Sequence, residues 1–168
     1  MVIKRNLARF LQPPTPREQL ALAGFEPIKA PVAGAIKTGC WFSPLPADHV
    51  QIGISVYAPK HIQHPLSYRP LAPGRAAWAA RGDDAAFCTH YAAQLAALDT
   101  SRVHDELLAL AAGKVAVLCC WERAGAGGRS WCHRSLVSQW FAETLGLVVS
   151  ELGHEHDRIH PLSPPTVT

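Results

Sequence analysis

The run Val115–Cys120, VAVLCC, constrains the fold more than any other stretch of the chain. It is apolar at every position, with Gly113-Lys114 before it and a glycine-rich segment after it. A strand apolar on both sides of its pleat must be covered on both faces, the usual condition inside a parallel sheet. Helical periodicity follows. From His133 or Arg134 to Leu145, the residues Leu136, Val137, Trp140, Phe141 and Leu145 fall on a buried side, and Gly146 ends the helix. Leu147 to Leu152 then reads as a last short strand. A β–loop–α–β order of this kind implies a right-handed crossover and a largely parallel sheet.

The upstream sequence supplies the partners. Ala35–Phe42, AIKTGCWF, is one strand candidate, and Val50–Tyr57, VQIGISVY, is another because its apolar residues alternate with Gln51, Gly53 and Ser55. Pro59 to Pro73 is too proline-punctuated for a regular helix and reads as a long ordered loop, a kind of segment that often carries function. Asp83 or Asp84 can cap a helix running to about Leu98, with Phe87, Tyr91, Leu95 and Leu98 on one face. Asp99 or Thr100 can cap the next, with Val103, Leu107 and Leu110 inward and Gly113 closing it. Near the start, Thr15-Pro16-Arg17-Glu18 reads as a helix opening that Gly24 and Pro27 cut short. The expected architecture is α/β: a single compact domain over residues 36–153 with a mostly parallel sheet flanked by helices. An arm with one short helix precedes it over 1–35, and a polar tail follows over 154–168.

With 168 residues, 48% of them hydrophobic and 17% charged, the chain can bury a core and is too apolar for wholesale disorder. A net charge of +3 without any run of lysine and arginine leaves a nucleic-acid partner open but does not indicate one. Five cysteines, two of them adjacent, fit poorly with a secreted disulfide framework, and the start shows no apolar leader. No apolar segment reaches membrane-spanning length. A reduced, cytoplasmic setting without a membrane is expected. Nothing in the sequence sets the oligomeric state.

In an open α/β sheet, ligands collect beyond the carboxyl ends of the strands, where Cys119 to Arg134 should lie. A cysteine at a helix start beside an imidazole and a guanidinium tends toward the thiolate. Cys132 is therefore a candidate nucleophile, His133 its acid or base, and Arg134 an oxyanion or phosphate clamp. Glu122 could orient the imidazole or activate water. The plain alternative is that Cys132 is a small buried residue, Arg134 pairs with a carboxylate, and Glu122 lies on the surface. Lys60, Tyr68 and Arg69 could hold a small anionic ligand from the proline-rich loop, or simply be surface residues. Cys120, Cys132 and His133 are also donors that zinc accepts, although no CxxC spacing accompanies them. Cys119 and Cys120 should face opposite sides of the sheet. His154, His156 and His160 read as solvated tail histidines.

Sharper motifs fail. A phosphatase loop needs arginine six positions after its cysteine, where Ala126 and Ser138 stand. Gly125–Ser130 has neither the spacing nor the lysine of a Walker loop. It reads as a surface insertion.

Five pieces in order nevertheless resemble a known family. They are Ile54-Ser55, Pro59-Lys60, the Tyr68-Arg69-x-Leu71-Ala72-Pro73 segment, Cys120-Trp121-Glu122, and Cys132-His133-Arg134. Together they resemble the bacterial and archaeal proteins called domain of unknown function 488, over about two thirds of the chain. The glycine-rich insertion and the longer arm depart from that pattern. The resemblance implies a compact α/β fold and one shared site for Cys132, His133, Arg134, Glu122, Lys60 and Arg69. The functional expectation is an enzyme acting on a small phosphorylated or nucleotide-like compound. The alternatives are a non-catalytic nucleotide- or partner-binding module and a zinc-stabilised structural domain.

Overall fold

The computed structural model describes residues 35–124 and 131–164. The helix expected at Thr15–Glu18, and the Gly125–Ser130 insertion, lie outside the described residues. Three parallel strands form the sheet: β1 (Ile36–Cys40), β2 (His49–Gly53) and β3 (Val115–Cys120). β3 lies between the other two, with Gly39 and Gly53 both opposite Cys119. This is where an all-apolar strand belongs, because the central position hides both of its faces.

Among the described residues, four α-helices accompany the sheet: α1 (Arg75–Ala79), α2 (Asp84–Ala96), α3 (Thr100–Ala111) and α4 (His133–Leu145). The cap alternatives resolve to the first residue of each pair. Asp83 accepts a hydrogen bond from the Ala86 amide at the start of α2, and Asp99 accepts one from the Arg102 amide at the start of α3. Left-handed Gly146 closes α4 as expected. Helix α3 differs, since Ala112 itself takes the left-handed conformation one residue before Gly113.

All four helices contribute to one core, which packs on the sheet face bearing Ile36, Ile52, Ala116 and Leu118. The opposite face carries no helix in its cluster. Trp41, Val117 and Cys119 are covered there by Ala58, Ile62 and Leu152. Trp41 explains Gly53, for a Cβ there would lie 2.5 Å from the indole ring.

Three expected strands come out shorter, the first of them covering only Ile36–Cys40 of 35–42. β2 stops at Gly53, whose amide and carbonyl turn to Leu66 and Tyr68. Leu147–Leu152 pairs with β1 at a single parallel bridge, Thr38 with Glu151. Within the polar tail, the solvated reading of His160 needs correction. The His160 side chain is covered against Thr38 and Glu151, and Leu162 packs on Cys120 and Cys132. One leucine among prolines gives no periodic signal, so the sequence hides this return. No helix among the described residues is long and apolar enough to cross a membrane.

Candidate functional site

Cys120 is the last residue of β3, and Cys132 is the N-cap of α4, so the strand end and the helix start bring two thiols together. Cys119, pointing the other way, joins the Trp41 cluster. His133 Nδ1 lies 3.7 Å from Cys120 Sγ and 3.8 Å from Cys132 Sγ. Glu122 completes the group, with Oε2 at 3.0 Å from Cys132 Sγ. The five cysteines are all free.

The imidazole is fixed from behind. His133 Nε2 lies 3.0 Å from the Ile54 carbonyl oxygen. A carbonyl only accepts, so Nε2 carries the proton and Nδ1 faces the sulfurs. The ring also meets Tyr91 edge-on at 5.3 Å between centroids, and Tyr91 is itself anchored to the Leu71 carbonyl.

These contacts divide the two thiols. Burial alone would push Cys132 up, but the hydrogen bond from Cys120 and the charges of His133 and Arg134 outweigh it and hold Cys132 well below the ordinary thiol range. Cys120 moves the opposite way, because it donates to Cys132 and is buried. Glu122 is raised by burial and then by the neighbouring Cys132 charge. For His133, burial works downward, and the Cys132 charge more than reverses it. These shifts favour the thiolate at Cys132, and the shifts of Cys120, Glu122 and His133 all run toward holding their protons beside it.

This group forms the floor of a cleft of about 420 Å³. Its walls are mainly aromatic: Tyr57, Trp78, Phe87, Trp121 and Trp131, with Ser55 and Arg81 as polar members. Such a lining suits a flat ring more than a compact anion.

Of the expected site residues, Cys120, Cys132, His133 and Glu122 converge. The clamp role read for Arg134 needs correction. Its guanidinium is 0% exposed and makes two hydrogen bonds to Glu151, at 2.9 and 2.6 Å, outside the cleft lining. It acts on Cys132 only as a nearby charge. Lys60, Tyr68 and Arg69 are not brought to the cleft either. Lys60 is exposed, Tyr68 is buried with its hydroxyl on Glu106, and Arg69 donates to the Val56 carbonyl. The cation that does line the cleft, Arg81, is an isolated residue just past α1 with no motif to mark it. The aromatic wall was equally silent, because its members are scattered from residue 57 to 131.

A parallel α/β sheet with a paired-thiol, imidazole and carboxyl site at its carboxyl edge defines the structural class. The family model DUF488-N3a, described as the active DUF488-N3 subclade, matches residues 42–145. The chain belongs to this family. Searches of curated proteins and of solved structures gave no match.

Proposed function

We propose that the protein is a thiol-dependent enzyme acting on a small nucleotide-like compound. The observation that supports this most is geometric: the Cys132 sulfur, the His133 imidazole and the Glu122 carboxyl meet at the floor of an aromatic-walled cleft. A planar ring would lie against Tyr57, Trp78 and Trp121, bringing an adjoining electrophilic carbon to Cys132. Cys132 Sγ forms a bond to that carbon, and the bond to the leaving group breaks. Glu122, protonated at the outset, gives its proton to the leaving group. Water then attacks the thio-intermediate and loses its proton to Glu122, which restores the thiolate. Carbon is favoured over phosphorus as the reacting centre. A phosphoryl group needs several cationic donors beside the nucleophile, and besides His133 the described cleft lining offers only Arg81, because Arg134 is committed to Glu151. Free thiols of this kind suit a reducing compartment such as the cytoplasm.

The test is alkylation by iodoacetamide, read by mass spectrometry across pH. Cys132 should react faster than a model thiol at neutral pH, and nucleoside monophosphates should protect it. A rate at or below the model thiol would remove the nucleophile.

One observation supports a second reading. The ligand atoms of Cys120, Cys132 and His133 lie within 4.8 Å of one another, and all three residues are buried. Zinc bonds of about 2.3 Å to sulfur and 2.0 Å to nitrogen would place sulfur and nitrogen about 3.5 Å apart, near the distances seen. The Ile54 carbonyl behind His133 is the kind of support that orients a metal-bound imidazole. Zinc there would polarise a bound substrate or water, and Glu122 would remain the proton carrier. One zinc per purified chain, with thiols silent until a chelator is added, would replace the nucleophile reading with this one.

A further inference from the structure

The aromatic wall does not stop at the cleft. Tyr57, Trp78 and Trp121 line it while staying 67%, 38% and 45% exposed, which is unusual for rings of this size outside a binding surface. Tyr57 packs edge-on against Trp78 at 6.2 Å, and Trp121 Nε1 donates to the Tyr57 carbonyl at 2.8 Å. From Trp121 the row continues away from the cleft to Phe42, 5.8 Å between centroids and 40% exposed, where His61 also lies tilted against the ring at 5.8 Å. An arginine accompanies each end. Arg81 lies over Trp78 at 5.3 Å from the ring centroid, and Arg123 lies over Phe42 at 6.0 Å while donating to the Phe42 carbonyl.

A mononucleotide would be satisfied by the cleft alone, so Phe42 and Arg123 are surplus to it. Partly exposed rings in series, with guanidinium groups beside them, are what successive unpaired bases and their phosphates require. Two guanidinium groups, Arg81 and Arg123, flank the row. We infer that the ligand of this site is a nucleotide within a single-stranded nucleic acid, with one base in the cleft and its neighbour stacked on Phe42 beside Arg123. This deepens the proposed function and rests on it for the base in the cleft. The row contacts offer no means of telling ribose from deoxyribose, so DNA and RNA strands share the chemistry. A duplex, whose base faces are already stacked, does not fit.

The experiment is fluorescence anisotropy with the full chain and labelled twelve-residue oligo-dT and oligo-U, competed by dTMP, UMP and an annealed duplex. Either single strand should bind at least tenfold more tightly than its mononucleotide and more tightly than the duplex. Phe42→Ala should cost the strand roughly tenfold and leave mononucleotide affinity unchanged. Arg123→Gln should reduce the slope of log affinity against log salt by about 0.7, a change that loss of packing alone would not produce. Both variants are checked by thermal melting, and either one suffices. Strands that bind no better than mononucleotides would overturn the inference and leave the cleft reading standing. If neither binds, both fall. Tight binding of strands that is indifferent to Phe42 and to salt would also overturn it.

Discussion

Replacing Glu151 by glutamine tests how the site is anchored. Glu151 sits 3% exposed, paired through both oxygens with a fully buried Arg134 and approached by His160 at 3.3 Å. Burial alone would raise its carboxyl, but the hydrogen bonds from His160 and Arg134 hold it down at about 2, against an ordinary 4.5. A carboxyl held that low contributes about 3 kcal/mol at neutral pH. Because the folded value is the depressed one, this contribution is complete above pH 4.5 and fades as the pH falls toward 2. The substitution also strands the Arg134 charge, and breaking one side of a buried pair costs about 3–5 kcal/mol. The two magnitudes agree. Urea unfolding of the wild type and Glu151→Gln, followed by circular dichroism, should show that loss at pH 7. Between pH 4.5 and pH 3 the gap should narrow. A difference below about 1 kcal/mol, or one that does not change with pH, would refute the assignment.

Other outcomes follow from the same contacts. Glu122→Gln keeps a neutral hydrogen donor beside the Cys132 sulfur, so the alkylation profile of Cys132 should stay close to that of the wild type; a profile displaced along the pH axis would show that Glu122 carries a charge there. Gly53→Ala should destabilise by about 1–3 kcal/mol in urea titrations, because the new methyl would collide with Trp41. Asp83→Ala, which removes the α2 cap, should cost about 1 kcal/mol by the same measurement.

Much of the frame was legible because it rests on local chemistry. The aspartate caps, the glycine after α4 and the apolar β3 each announce an element within a few residues. The paired cysteines, His133 and Glu122 were legible because a strand end and a helix start lie next to each other in such a sheet. Arg134 could have been read better. Neighbours on a helix point about 100° apart, so His133 and Arg134 could not both face the cleft. Its actual partner, Glu151, follows the helix by a distance that no motif sets. Arg81, Phe42 and the wall aromatics come together through the packing of α1, α2 and the loops on one another, and local periodicity carries no record of that. His160 and Leu162 were hidden for the same reason.

The most direct measurement is the relative alkylation rate of the five cysteines in one metal-stripped sample at neutral pH. Cys119, pushed up to about 12 by burial, should stay nearly silent, and Cys132 should react first despite being as deeply placed. A Cys132 that reacts no faster than half-buried Cys88 would contradict the reactive thiolate at the centre of the site.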